Sequence, residues 1–198
     1  MNKNIHYKLL VGAEIEPYLL DIARLRLAVF YDFPYLYQGS SEYELNYLRR
    51  YLSQDGAAAI LVFDHDEVVG ASTCTPLENE DEVFQRPFLA IDKDVSKGFY
   101  FAESVLLPDY RGQGIGKGFF RLREDYALSY GPIEFLTFCA VQRAAEHPLC
   151  PSGYTSLAPF WQQQGFHPTE LISYLSWQDR DVAVATEKPL QFWLKQLK

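Results

Sequence analysis

Cysteine is scarce in this chain of 198 residues and badly placed for cross-linking. Cys74, Cys139 and Cys150 are odd in number and widely spaced, form no C-x-x-C pair and have no histidine at ligand spacing, which argues against a disulfide framework or a zinc site. No metal is expected, and reduced thiols in a cytoplasmic protein are the simplest expectation. Positive charge is also short: 18 Lys and Arg stand against 26 Asp and Glu, a formal charge of −8. A general nucleic-acid binder draws its affinity from cations that neutralise phosphates, so no nucleic-acid partner is expected, although a local basic site for a phosphorylated small ligand stays open. Long apolar runs are missing too. The longest, residues 57–63, falls far short of the roughly 20 residues that span a bilayer, and the chain starts on the polar Met1-Asn2-Lys3-Asn4. Neither membrane association nor a leader segment is expected, and no repeat, linker or low-complexity tract divides the chain.

What is present is apolar and aromatic material, 48% and 16% of residues. That excludes whole-chain disorder. At about 100–200 residues per domain the length suits one domain, residues 1–198, which buries roughly 70% of its unfolded surface. Ile15, Leu19, Ile22, Leu25 and Val29 predict a helix over 15–30, with Arg24 and Arg26 between them. Ser41 and Glu44 have capping-box spacing ahead of Leu45, Leu48 and Leu52, so a second helix is expected to end near Gly56. Residues 57–63 and 68–74 flank a polar Asp64-His65-Asp66 turn as two antiparallel strands. Between 76 and 98 the periodicity weakens, and Glu78, Glu80, Asp81 and Glu82 form either a solvated loop or short helix, or a rim that attracts a cationic substrate. Strands are predicted over 99–107 and 135–141, and helices over 115–131 and 157–164. Two last strands, 171–177 and 190–197, close the order. Alternating strands and helices predict a single α/β or α+β domain.

The most informative chemistry lies where the strand over 99–107 meets the following helix: Val105-Leu106-Leu107-Pro108-Asp109-Tyr110-Arg111-Gly112-Gln113-Gly114-Ile115-Gly116-Lys117-Gly118. Pro108 ends the strand, and the glycines let the backbone approach a ligand with its N–H groups outward. A helix N-terminus of this kind favours an anion by about 0.3–2 kcal/mol, and Arg111 and Lys117 add charge. The pattern suits a pyrophosphate. It is not a Walker loop, since no Gly-Lys-Ser/Thr follows, and the acidic partner of a dinucleotide fold is lacking.

The run Arg111-Gly112-Gln113-Gly114-Ile115-Gly116 matches R-x-x-G-x-G and resembles the GNAT superfamily of N-acetyltransferases. The element order agrees over most of the chain, and Trp161-Gln162-Gln163-Gln164-Gly165-Phe166 looks like that family's aromatic-x-x-x-Gly-Phe signature. The resemblance implies a central mixed, mostly antiparallel sheet flanked by helices, with acetyl-CoA as acyl donor. Its pyrophosphate would lie on Arg111, Gly112, Gln113, Gly114, Ile115, Gly116 and Lys117, and its pantetheine arm beside Val105, Leu106 and Leu107. The implied reaction is direct attack of a primary amine, most simply that of a small molecule, on the thioester in a ternary complex. A lysine-like amine is neutral in only about one molecule in 2,500 at pH 7, a cost of roughly 4.6 kcal/mol, so a base is needed. An oxyanion donor, a backbone N–H around Leu106, is needed as well.

Glu103, an ionisable residue in an apolar strand, is the expected base; its alternative is a structural pairing with an arginine. Tyr100 is the other candidate on that strand. Where the signature normally carries tyrosine this chain has Trp161, which cannot donate a proton usefully and is expected to pack beside the cofactor. Tyr154 is the nearest phenol to protonate the departing thiolate, or else a wall of the acceptor site. Arg143, His147 and Cys139 lie at or beyond the strand that opens the cleft in this family, and Arg143 and Cys139 are expected to face the acceptor. Acetyl transfer through the Cys139 thiol is the less favoured role. Tyr31 and Phe33, in an aromatic passage after the first helix, are expected either to wall the acceptor site or to pack between helices. A protein or peptide amine as acceptor, a non-catalytic acyl-CoA sensor, and a nucleotide-binding protein are the alternatives. Phe192 and Trp193 suggest an exposed aromatic face for a homodimer.

Overall fold

The structure, a computed structural model, describes residues 3–198; Met1 and Asn2, the first residues of the polar N-terminal stretch, lie outside the described residues. Seven strands, β1 (Ile5–Val11), β2 (Ala58–Asp64), β3 (Glu67–Pro76), β4 (Gly98–Leu106), β5 (Phe135–Val141), β6 (His167–Gln178) and β7 (Ala185–Gln196), form one sheet in the order β1-β2-β3-β4-β5-β7-β6. Helices α1 (Leu19–Phe30), α2 (Ser41–Leu52), α3 (Glu82–Leu89), α4 (Ile115–Tyr130) and α5 (Ala158–Gln163) surround it. Every pairing is antiparallel except β4 with β5. This is the mixed, mostly antiparallel sheet flanked by helices that the sequence predicts.

The apolar run at 57–63 becomes a central strand, because residues without alternation need cover on both faces. One face carries α1 and α2 over Leu61, Ala71 and Val105; the other carries α4 over Ile60, Val62, Phe99 and Phe101. β1 escapes the sequence reading. His6 and Lys8 alternate with half-buried Ile5 and Tyr7 at a sheet edge, too weak a pattern to stand out beside its polar neighbours. The first helix also starts later than expected. Residues 12–18 form a 3-10 turn containing Pro17, and α1 begins at Leu19. In α2 the cap is Ser40, whose hydroxyl accepts from the Tyr43 N–H at 3.3 Å, so Glu44 is not a capping-box acid. It is fully buried instead. The proposed aromatic face for self-association is absent, since Phe192 and Trp193 are both buried in the chain's own core.

Two irregularities shape the site. β4 pairs with β5 only from Gly98 to Tyr100, against Phe135 to Thr137, after which the strands part. β4 also carries one extra residue at Ala102 and Glu103, where its register against β3 shifts between Ser72 and Cys74. Phe101 therefore packs in the core under α4, whereas Glu103 reaches Arg26 of α1 on the opposite face. Without the bulge that parity would reverse.

Candidate functional site

The glycine-rich junction becomes a helix N-terminus with its amides exposed. Leu107 donates to the Val69 carbonyl, Pro108–Tyr110 makes one tight turn, and α4 begins at Ile115 behind Gly114. The N–H groups of Gly112, Gln113, Gly114, Ile115 and Gly116 have no acceptor among the described residues; Lys117 is the first to bond back, to the Gly114 carbonyl at 3.0 Å. Gly112 and Gly114 hold φ of 73° and 82°, in the left-handed region that side chains disfavour. The loop is braced from within. Arg111 Nε donates to the Leu106 carbonyl at 3.1 Å and Gln113 Nε2 to that of Asp109 at 2.8 Å. Arg111 and Lys117 are exposed beside the five free amides. This arrangement fits a pyrophosphate: a convergent set of donors at the positive end of a 16-residue helix, with mobile cations alongside. Val105, Leu106 and Leu107 lead into it along a β4 edge that has lost β5 as a partner.

On the α1/α2 face lies a buried ionic chain. Arg26 bonds Glu44 through Nε, and its Nη1 lies 2.7 Å from Glu103 Oε2. The guanidinium also stacks on Phe30 and Tyr47. Glu44 Oε1 and Glu103 Oε1 are buried without a partner. A third carboxylate, Glu80, turns inward while Glu78, Asp81 and Glu82 stay exposed, and its Oε1 is also unpartnered. Burial, reinforced by the charges of Glu103 and Asp81, pushes the Glu80 carboxyl up to about 8. Between about pH 4.5 and pH 8 the folded protein thus keeps a proton that the unfolded chain releases. Stability falls as pH rises through that window, by up to about 1.4 kcal/mol per unit, and levels off above it. Urea midpoints measured across the window are expected to flatten in Glu80→Gln; an unchanged slope would mean the carboxyl is solvated.

The residues named from the sequence fall into three groups. Arg111 to Lys117 and Val105 to Leu107 come together as one surface. Glu103, Tyr100 and Cys139 lie on the two strands that part. The Tyr100 hydroxyl sits 3.0 Å from Cys139 Sγ, and burial pushes the thiol up to about 12, which disfavours the thiolate that nucleophilic catalysis needs. Elsewhere, Phe33 meets Tyr154 edge-on at 4.8 Å and His147 at 6.1 Å, so the α1–α2 loop packs against the loop after β5. Burial raises the Tyr154 phenol, which is nevertheless 43% exposed. Tyr31 lies outward under Arg180. Trp161 packs against Phe138 and Trp193 of the chain's own core.

Arg143 is a clamp rather than a free recognition group. It donates to the carbonyls of Pro34 and Tyr35 and bidentately to Asp179, at 2.7 to 2.9 Å. Buried Lys188 adds a second cation to Asp179 at 3.2 Å. Burial pushes that carboxyl up, but the hydrogen bonds from Arg143 and Lys188 outweigh it, and the net shift is downward. Breaking a buried pair by removing one partner costs about 3–5 kcal/mol. Arg143→Ala is therefore expected to lower the melting temperature and loosen the α1–α2 loop, with CoA affinity unchanged by calorimetry. Unaltered melting would refute the clamp.

Sequence reasoning missed Arg26 and Glu44 as site residues, and placed Glu80 in an acidic rim without singling it out as the buried member. Two signals were present: Arg26 and Glu44 each occupy a core-facing helical stripe, Arg26 with Ile22 and Glu44 with Leu48 and Tyr51. Among the described residues no group of three or more His, Cys, Asp or Glu is arranged to hold a metal ion, and no helix is long and apolar enough to cross a membrane.

A family model described as "Acetyltransferase (GNAT) family" matches residues 26–166. No curated protein matches significantly. Among solved structures, the chain is similar to a GNAT-family acetyltransferase from Streptococcus pneumoniae (14% identity, TM-score 0.58, covering 98% of this chain and 100% of that one). It is similar to a protein from Pyrococcus horikoshii OT3 at 12% identity and TM-score 0.62, covering 98% and 99%. An aminoglycoside 6'-N-acetyltransferase complexed with coenzyme A matches at 16% identity and TM-score 0.58, covering 96% of each chain. At these identities the likeness is one of fold.

Proposed function

Because this chain belongs to the GNAT family of acetyltransferases, we propose that residues 1–198 act as one domain that transfers the acetyl group of acetyl-CoA to the primary amine of a small molecule. The observation that carries this reading is the row of five N–H groups from Gly112 to Gly116, unpartnered among the described residues, at the end of the β4 edge left where β5 parts from it. Arg111 and Lys117 neutralise the phosphates while the amides of 112–116 bind them directly. Acetyl-CoA supplies the thioester carbonyl. The backbone N–H around Leu106 is the candidate donor to the oxygen that gains charge, and it costs no reorganisation at the moment of reaction.

Glu103 takes the proton from the acceptor ammonium at Oε1, while Arg26 holds Oε2 and so fixes the carboxylate's direction. The role of Glu44 is to share Arg26 and keep it from closing on both oxygens of Glu103. Tyr154 is the candidate proton donor to the departing thiolate, retaining its proton at neutral pH. A small acceptor is favoured by the walls: the Arg143 clamp ties the 34–35 segment to β5 and β6 across the acceptor side, where a long peptide would need an open groove.

The test is thiol release from acetyl-CoA by the purified protein, screened against polyamines, amino acids, aminoglycosides and short peptides, with a blank lacking acceptor. Release that depends on one small-molecule class is expected. Release only with peptides would replace the small acceptor, and CoA binding without release on any acceptor would favour an acyl-CoA sensor.

A further inference from the structure

One cavity on the α1/α2 face is lined by buried polar side-chain atoms with no hydrogen-bond partner within reach among the described residues. It has about 20 Å³ of room, enough for one group the size of water or ammonium, and is walled by Tyr47, Tyr51, Gln54, Glu80 and Phe84. An exposed Arg50–Asp81 pair at 3.5 Å sits at its mouth. The Tyr51 hydroxyl, Gln54 Oε1 and Glu80 Oε1 are all buried and unpartnered among the described residues. Gln54 Oε1 and the ionised Glu80 carboxylate only accept while the Tyr51 hydroxyl brings a single O–H, so the set is short of donors, and an ammonium adds three N–H groups to it.

Charge leads to the same occupant. Arg26 is engaged by Glu44 and Glu103, and buried Arg123 donates to the carbonyls of Phe119, Thr73 and Glu103 from the other side of the sheet. Arg50 is spent in solvent on Asp81. Glu80, 8% exposed, is left with no countercharge. The reacting nitrogen cannot supply one, because it must be neutral to attack a thioester. Resting on the acetyltransferase reading, we infer that the acceptor carries a second, non-reacting ammonium group, which Glu80 receives in the cavity between α2 and the turn before α3. The Tyr47 and Phe84 rings flank that charge. Burial raises the Glu80 carboxyl to about 8, and an ammonium beside it favours the carboxylate.

The experiment compares α,ω-diamines with monoamines of the same chain length on the full chain at saturating acetyl-CoA. A charge-assisted contact of this kind is expected to give the diamines a preference of about ten-fold or more in kcat/KM, carried mainly by KM. Glu80→Gln, nearly isosteric, is expected to bring the ratio close to one. Equal use of both amines by the wild type, as a cavity holding water alone would give, overturns the inference, and so does a preference that survives the substitution. If no amine is acetylated, calorimetry of the same diamines with CoA present separates the two claims. Diamine binding that weakens at least about ten-fold in Glu80→Gln supports the subsite even as the enzyme reading fails. Turnover of monoamines with no diamine preference sinks the subsite alone.

Discussion

Gly114→Glu is expected to weaken CoA binding by about 100-fold or more while leaving the fold intact. Two effects add. Gly114 sits at φ 82° as the residue before α4, where a side chain costs about 1–2 kcal/mol of backbone strain. The new carboxylate would also stand among the five free amides of 112–116, occupying the donors meant for phosphate and repelling it. A Cβ at Gly114 meets nothing within 4 Å, so crowding adds nothing and the backbone strain alone should lower the melting temperature by about 2–8 °C. Arg111→Ala, which removes an exposed cation but no backbone donor, is expected to cost roughly ten-fold. Calorimetric titration with CoA checks both. Wild-type affinity in Gly114→Glu would remove the site assignment altogether.

Glu103→Gln is expected to lower kcat by about 10²- to 10⁴-fold with CoA affinity unchanged. The amide keeps the shape of the side chain and can still meet Arg26, but its orphan oxygen position no longer accepts a proton from an ammonium. A merely structural Glu103 would give the opposite pattern: altered melting with turnover preserved. The pH profile separates the roles further. Loss of the base should make the residual rate rise with pH as free neutral amine becomes available, whereas a structural role leaves the wild-type profile in place. Arg26→Met is a different experiment, since it strands two buried carboxylates, and is expected to destabilise by about 3–5 kcal/mol.

Much of this site is readable from adjacent residues. The glycine-rich junction depends on Pro108, on glycines at fixed offsets and on a helix start, all within one short stretch, so local backbone rules suffice to find it. Glu103 stands out for a similar reason, as a lone acid between apolar neighbours. The acceptor side is different. Arg26, Glu44 and Glu80 come from α1, α2 and the turn before α3, and only their meeting makes each one intelligible. Glu44 illustrates the difficulty: its spacing from Ser41 imitates a capping box, while its position one turn before Leu48 is what aims it at Arg26. Arg143 misleads in the same way, since an arginine in a long loop suggests a free ligand-binding group until Asp179 and the 34–35 carbonyls are seen around it.

The sequence by itself therefore determined the architecture, most element positions, the resemblance to an acetyltransferase family and the loop that suits a pyrophosphate, because hydrophobic period, turn chemistry and glycine conformation act over a few neighbouring residues. Tertiary structure decided what faces the acceptor. One extra residue in β4 reverses the side on which Glu103 emerges, the parting of β4 from β5 opens an edge, and two carboxylates distant in the chain share one guanidinium. These follow from strand register and long-range charge balance, which depend on where separate segments meet.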